Sequence, residues 1–202
     1  MASTKKYSLS FTTAGLLRKE TITVALLYLN VKIWEKTRQC VMEDNALQMK
    51  SENSQRRVFS EIKNRLECLS DVEKRILCST SFRDADVIFW LALCRRYQFI
   101  GNFAKTVLHE KYITMQRYVD FSDYALFVER EAVLHPEILN LRDSTSKRLR
   151  QMVFQFMRNC NMLNRENMIQ PVIFSPAVET LFKDGTPEEM CYFPVVQKMR
   201  AN

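Results

Sequence analysis

The side chains that most often carry catalysis are few and scattered in this sequence. Only two histidines, His109 and His135, are present, and neither has the spacing that binds a metal or activates a nucleophile. Asp84 and Asp86 are two residues apart, so they do not face each other on a helix, and both stand where helix caps are expected. The sequence therefore predicts no independent enzymatic activity and no catalytic residues.

Cofactor-binding patterns are missing as well. The six cysteines form no CxxC pair, and no histidine stands near them at zinc-finger spacing. The three glycines are isolated from one another, so they build neither a P-loop nor a dinucleotide-binding turn. We therefore expect no metal ion and no other cofactor.

Basic residues are the chemical groups that stand out. The formal net charge is +7, which predicts attraction to polyanions such as DNA, RNA or acidic membrane surfaces. One group of cations precedes Glu20, the first acidic residue; a second lies at 56–65, and a third surrounds a predicted helix near residue 150. The candidate nucleic-acid-binding residues in these groups are Lys5, Lys6, Arg18, Lys19, Arg56, Arg57, Thr145, Ser146, Lys147, Arg148, Arg150 and Gln151.

The third group is the most specific. Between residues 142 and 158 five cations are opposed by Asp143 alone. Thr145 and Ser146 stand at the amino end of the predicted helix, where hydroxyls and helix amides can hold a phosphate. Arg150 and Gln151 could also read base edges, but we expect contact with the backbone of duplex DNA to dominate. A solvated basic face is the alternative.

Several aromatic residues lie largely within apolar helix patterns and are expected in the core; they are Phe89, Trp90, Phe103, Phe127 and Phe154. This disfavours the binding of single strands through exposed rings. Tyr97 and Tyr118, each close to an arginine in the sequence, are the two exceptions that could stack on bases.

The elements that must position these residues are predicted to be helices. Glycine and proline are rare, which favours helices over β-structure. Apolar residues recur at helical spacing over residues 20–41 and again over 58–69, and Ser70 with Glu73 forms a capping-box pattern that starts a third helix. Residues 87–94 are apolar almost all round, as in a central core helix with Trp90 inside. The fold class is therefore all-α, a mainly helical bundle.

Further along, Asn102 and Ser122 are predicted to cap two more helices, and residues 147–157 form another. Residues 168–174 are predicted to form a strand, and Ser175 followed by Pro176 starts a last helix. This order is typical of a small winged-helix-like appendage. We therefore predict a helical bundle over 1–135 and a smaller helical or winged-helix-like region over 136–202, with Pro136 as the boundary.

The sequence also bears on cellular location. Residues 1–15 lack the apolar run of a signal peptide, and the scattered cysteines suit a reducing compartment. The most apolar stretches, 23–31 and 87–94, are much shorter than the ~20 residues that a membrane-spanning helix requires. We expect a cytoplasmic protein that is not held in a membrane.

Several segments together resemble a known family. They are residues 7–17 (YSLSFTTAGLL), 91–100 (LALCRRYQFI) with Phe103, 135–139 (HPEIL) and 144–154 (STSKRLRQMVF). Their order, and the length of the chain, resemble the BrxA family of the BREX bacteriophage-exclusion systems. The resemblance extends over nearly the whole chain.

The resemblance implies a small, non-enzymatic, NusB-like helical protein that binds double-stranded DNA within a multi-protein system of antiviral defence. The implied protein partners are an ATPase, a methyltransferase and a phosphatase-like protein. A Ser-Thr-x-Lys-type segment of the family corresponds to Thr145, Ser146 and Lys147, whose assignment to DNA contact comes from charge and helix position. Two alternatives stay open, namely a protein-interaction scaffold of the same assembly and an RNA-binding factor similar to antitermination proteins.

Overall fold

The structure is a computed structural model that describes residues 7–12, 15–79 and 81–195. Over these ranges the chain is mainly helical and contains no β-strand, which confirms the all-α fold class. None of the helices in these ranges combines the length and the apolar character needed to cross a membrane. The helices are α1 (Arg18–Val31), α2 (Trp34–Glu43), α3 (Glu52–Leu66), α4 (Asp71–Leu77), α5 (Phe82–Arg96), α6 (Gln98–Phe103), a π-helical segment (Ala104–His109), α7 (Glu110–Ile113), α8 (Phe121–Leu134), α9 (Asp143–Asn159) and α10 (Pro176–Asp184).

The described residues form two compact units. One, the α1–α5 unit, contains residues 15–96; the other, the α6–α10 unit, contains residues 97–195 together with 7–12. The boundary predicted at Pro136 does not coincide with this division. It falls inside the α6–α10 unit, where the ring of His135 stacks on Tyr7 at 3.7 Å and the Tyr7 N–H donates to Glu137 Oε1 at 3.1 Å.

Helix α5 is the centre of the α1–α5 unit. Every residue from Ala85 to Cys94 is buried, and Trp90 is fully enclosed, as the sequence predicted. Helices α3 and α4 pack against α5, and both also contact α1. A helix surrounded in this way needs apolar side chains on all its faces, which explains the uninterrupted apolar run.

The prediction of a single long helix over residues 20–41 is wrong, because the helix is interrupted between α1 and α2. Lys32 adopts a left-handed conformation with φ 61°, and its N–H donates to the Tyr28 carbonyl at 2.7 Å, which ends α1. Ile33 is extended, and Trp34 then starts α2 with its ring stacked 4.1 Å from that of Tyr28. Helical periodicity continues across the break since both pieces bury apolar residues.

The capping box predicted at Ser70 and Glu73 is confirmed. The Ser70 N–H donates to the Glu73 carboxylate at 2.6 Å, and the Glu73 N–H donates to Ser70 Oγ at 3.2 Å. The same carboxylate accepts two hydrogen bonds of 2.9 Å from the Arg95 guanidinium on α5. Burial raises the pKa of the Glu73 carboxyl, but these charged and backbone donors outweigh it and hold the pKa below its ordinary value.

The α6–α10 unit contains a continuous helical stretch from Gln98 to Ile113, which includes the π-helical segment. The helix start predicted at Asn102 is therefore wrong. Asn102 lies inside the stretch, and its amide donates to Tyr7 Oη at 2.6 Å instead of capping a helix. The cap predicted at Ser122 is wrong as well, because α8 begins at Phe121, after a capping box made by Asp120 and Asp123.

The N-terminal segment completes the core of this unit. Phe11 is fully buried, and its ring lies 5.3 Å from that of Tyr97, 6.1 Å from Phe99 and 6.3 Å from Phe156. Edge-to-face and offset contacts at these distances are favourable for aromatic rings. Residues 7–12 therefore belong structurally with helices far along the chain.

The strand predicted over 168–174 does not form. Within the described residues only two isolated antiparallel bridges occur in this part of the chain, Tyr118 with Met168 and Leu163 with Ile169. Pro171 has no N–H to extend a ladder. The winged-helix-like pattern therefore lacks its strand, whereas α10 starts as predicted, with Ser175 as its cap and Pro176 as its first residue.

Candidate nucleic-acid interface

Helix α9 has one buried and one exposed face. Its apolar residues, including Leu149, Val153 and Phe156, are buried. The opposite face is exposed to solvent, and Asp143 is the single acidic residue of the helix. The exposed residues on that face, together called the α9 stripe, are Ser144, Lys147, Arg148, Gln151 and Gln155.

The start of α9 differs from the sequence-based expectation. The helix begins at Asp143 instead of Lys147, and Arg142 occupies the cap position without a capping side-chain hydrogen bond. Thr145 and Ser146 therefore lie in the first helical turn, and both are half-buried. Their hydroxyls stand close to the helix amino end, the part of a helix that attracts anions.

Arg150 lies at the edge of the α9 stripe and is held by an aromatic ring. Its guanidinium carbon is 4.4 Å from the centre of the Phe121 ring, and Phe121 also packs edge-on against Phe154 at 4.9 Å. A guanidinium over a ring face is stabilised by the ring quadrupole. The contact joins the α9 stripe to the beginning of α8.

Arg158, one of the five cations counted around this helix, has a structural role. Its Nε and Nη2 donate to Asn167 Oδ1 at 3.2 and 2.8 Å. This fixes the turn that follows α9 to the end of the helix. We therefore do not count Arg158 among the groups available for a ligand.

Sequence reasoning missed a segment that lies beside this turn. The Val119 N–H donates to the Asn167 carbonyl at 3.1 Å, and the Ile169 N–H donates to the Arg117 carbonyl at 2.8 Å. Arg117 is exposed, and 48% of Tyr118 is accessible. The pairing joins residues far apart in the sequence, so no local pattern could have located Arg117 here.

The two tyrosines that the sequence suggested could stack on bases differ in their exposure to solvent. Tyr97 is fully buried against Phe11, which excludes it. Val119 is fully buried, and since successive side chains of an extended segment point to opposite sides, Tyr118 is turned outward. Lys111 Nζ steadies this segment by donating to the Tyr118 carbonyl at 2.9 Å and pairing with Asp123 at 2.5 Å.

These residues form one surface of the α6–α10 unit, which we call the α9 surface. It combines cations, amides and half-exposed rings on α9, at the start of α8 and in the segment before it. Its residues are Lys147, Arg148, Arg150, Gln151, Arg117, Tyr118 and Phe121.

The other predicted site residues are placed differently. Arg18 pairs with Asp86, whose side chain is only 8% exposed, and its guanidinium lies 4.9 Å from the Phe89 ring centre. Asp86 is therefore a buried ion-pair partner, not the helix cap that the sequence suggested. Lys19 is exposed in the first turn of α1.

The second cationic group lies on α3, in the α1–α5 unit. Arg56 pairs with Glu52 one turn earlier, and Arg57 is exposed. Lys5 and Lys6, from the first group, lie outside the described residues. The structure therefore collects Lys147, Arg148, Arg150 and Gln151 on one surface, with Thr145 and Ser146 in the first turn of the same helix. The remaining described candidates, Arg18, Lys19, Arg56 and Arg57, lie on helices of the α1–α5 unit.

Both histidines have structural partners. His109 Nδ1 lies 2.7 Å from the Phe193 carbonyl, and His135 follows α8 as its C-cap, with Nδ1 3.4 Å from Glu137. Within the part of the chain that is described, no three histidine, cysteine or acidic side chains converge as metal ligands would.

Comparisons with known proteins identify a family that matches the chain and a solved structure with a similar fold. A family model described as BrxA matches residues 5–185. The fold is similar to that in the crystal structure of an uncharacterized protein from Magnetospirillum magneticum, with a TM-score of 0.78 and 18% identity, over 94% of this chain and 100% of that chain. A comparison with curated proteins gave no match.

The structural likeness, at so low an identity, establishes the fold and nothing about function. The family match covers most of the chain, including the N-terminal segment that packs in the α6–α10 unit and all of α9. The protein therefore belongs to the BrxA family, a family of the BREX phage-defence systems.

Proposed function

We propose that the protein is a non-enzymatic accessory component of a BREX system that binds duplex DNA, chiefly through phosphates, with the α9 surface. The observation that carries this proposal is the α9 stripe, where Lys147 and Arg148 are exposed on a face with a single acidic residue. Phosphate contacts by lysine and arginine dominate non-specific affinity for duplex DNA.

The surroundings of the stripe support the same chemistry. Thr145 and Ser146 add hydroxyls at the positive end of α9. Arg150 is already held by Phe121, so less side-chain entropy is lost when it meets a phosphate. Asp123 is engaged by Lys111, which reduces the negative charge that DNA would meet near Tyr118.

The biological setting of this activity comes from the family. In the proposal the protein acts in the cytoplasm, carries no catalytic site of its own and works beside the ATPase, methyltransferase and phosphatase-like proteins of its system. Its contribution is to hold DNA for those partners.

A double charge reversal, Lys147→Glu with Arg148→Glu, tests the DNA contact. Losing two phosphate contacts should weaken binding to duplex DNA by tenfold or more and lower the slope of log affinity against log salt by roughly 2. Fluorescence anisotropy with a labelled duplex at several salt concentrations measures both quantities.

The control is Arg56→Glu with Arg57→Glu, which changes the net charge equally on α3, in the other unit. This control should reduce the affinity for duplex DNA much less than the Lys147→Glu/Arg148→Glu variant does. Equal losses of affinity in the two variants would show that only overall charge matters. If the wild-type protein leaves the anisotropy of the duplex unchanged at low salt, DNA binding is disproved. A structured RNA competitor that displaces the duplex at equal concentration would favour the RNA-binding alternative.

A second candidate function is a protein-interaction scaffold, which one observation favours. Val133, Leu134 and Leu139, at the end of α8 and just after it, are 81%, 66% and 69% exposed. Exposed apolar side chains grouped in one stretch are typical of a protein contact. Co-purification of other BREX proteins that is lost with Val133→Asp and Leu139→Asp, but kept in the Lys147→Glu/Arg148→Glu variant, would support it.

A further inference from the structure

A cavity of about 260 Å³ lies next to the α9 surface, in the same unit. The end of α7 with the turn after it forms one wall, and the segment after the bridge at Leu163 forms the other. The cavity is lined by Tyr112, Met115, Gln116, Arg117, Met168 and Ile169.

We propose that this cavity binds one unpaired nucleobase of DNA, which makes it a recognition site for distorted or partly unwound duplex. The proposal rests on the proposed function, because it assumes that DNA reaches the α9 surface. It goes further by naming the DNA structure that is preferred.

The lining has the chemistry that a base requires. Tyr112 offers an aromatic ring, and Met115 and Met168 offer polarizable thioethers, all of which contact the flat faces of bases favourably. Gln116 carries an amide, which pairs with base edges. Among the described residues no acidic side chain lines the cavity, and Arg117 is the single charged one, so an anionic nucleotide fits better than a cationic ligand.

The walls are fixed before any ligand arrives. The Gln116 N–H donates to the Lys111 carbonyl at 2.8 Å, and the Ile169 N–H donates to the Arg117 carbonyl at 2.8 Å. Met115 is in the left-handed conformation, with φ 61°, and its side chain is 86% exposed at the rim. A preformed cavity loses little conformational entropy when it is filled.

The cavity is continuous with the proposed DNA contact. Arg117 lines it and is followed directly by Tyr118, whose half-exposed ring belongs to the α9 surface. Phe121 then links this segment to Arg150. In the proposal, a phosphate backbone that follows the α9 surface passes the mouth of the cavity.

The occupant must be unpaired, because a base inside a perfect duplex keeps its faces stacked and its edge paired. Extruding a base from a perfect duplex breaks its stacking and pairing, and this cost is least where the base is already mismatched or single-stranded. The cavity therefore favours bulges, mismatches and strand junctions over perfect duplex.

The test compares two labelled duplexes of the same sequence, one perfect and one with a single bulged 2-aminopurine. The wild-type protein should bind the bulged duplex about tenfold more tightly, since a base that stacks on an aromatic ring adds to the affinity. Fluorescence of the bulged 2-aminopurine should change on binding as the base leaves solvent.

Two variants address the cavity itself. Tyr112→Ala removes the aromatic wall, and Met115→Glu places a carboxylate at the exposed rim without disturbing packed side chains. Each should abolish the preference for the bulge and leave affinity for the perfect duplex within about twofold. Phe82→Ala, at a ring that is 85% exposed in the other unit, is the aromatic control and should keep the preference.

The outcomes separate this inference from the proposed function. Equal affinity for both duplexes overturns the inference and leaves duplex binding standing, as does a preference that survives both cavity variants. Saturable binding to a single strand containing 2-aminopurine, without binding to perfect duplex, supports the cavity and overturns the proposed function. Binding to none of these DNAs overturns both.

Discussion

Arg18 lies against the ring of Phe89 and pairs with Asp86, a carboxylate that is almost fully buried, whereas Arg148 extends into solvent. Each of these arginines stands beside a lysine in the sequence, so the pattern of charges predicts the same role for both. Their roles differ because a buried carboxylate requires a partner, while an exposed guanidinium is available to a ligand. At the residue scale, burial decides which cations remain accessible to a ligand.

Replacing Arg18 should therefore affect stability and not DNA binding. In Arg18→Ala the Asp86 carboxylate loses its guanidinium partner, so we expect the free energy of unfolding to fall by roughly 1–3 kcal/mol. Urea denaturation followed by circular dichroism measures this. Lys19→Ala, the exposed neighbour, is the control and should change stability by less than about 0.5 kcal/mol. A weakened DNA affinity of folded Arg18→Ala would contradict this assignment.

At the scale of elements, the successful sequence predictions are those with local causes. Helix α5 was predictable because its apolar residues surround it, and the start of α4 because Ser70 and Glu73 stand three residues apart. The break at Lys32 was not predictable, since helical periodicity continues on both sides of it. The position of Arg117 depends on backbone pairing with a distant segment, which no local pattern reports.

The ion pair between α4 and α5 predicts an acid-dependent change in stability. The pKa of Glu73 is lowered from 4.5 in the folded protein, so the unfolded chain takes up its proton first as the pH falls. The contribution of Glu73 is therefore complete at neutral pH and is lost as the pH falls below about 4.5.

Glu73→Gln should reveal this contribution. We expect it to lower the free energy of unfolding by roughly 1–3 kcal/mol at neutral pH, because Arg95 loses its carboxylate partner. The difference from wild type should shrink as the pH is lowered through the acid range. Chemical denaturation at several pH values measures it, with Glu67→Gln on the exposed Lys63–Glu67 pair as the control. A difference that is constant with pH would disprove the role of this ion pair.

On the scale of the whole molecule, the chain forms two units, one of which combines segments from both sides of the other, and the sequence does not suggest this division. Residues 15–96 form a unit of their own, and the segments on both sides of them combine into the second. The sequence predicted the helices on either side of residue 96, but the partner of the N-terminal segment depends on packing between distant aromatic residues.

Phe11 is the residue on which this arrangement depends most directly. Phe11→Ala removes a fully buried ring from among Tyr97, Phe99 and Phe156, so we expect a loss of about 3–5 kcal/mol in unfolding free energy. Phe82→Ala makes the same change at an exposed ring and should cost less than about 0.5 kcal/mol. Thermal denaturation compares the two, and similar melting temperatures would contradict the placement of Phe11.

The packing of Phe11 against Phe156 has a consequence for synthesis on the ribosome. Residues 15–96 leave the exit tunnel as one continuous piece and can fold while translation goes on. Phe11 emerges before them, but its ring has no complete binding place until α9 has been translated. In the nascent chain, residues 7–12 therefore stay exposed until α9 has been made, and they pack later than residues 15–96, which follow them in the sequence.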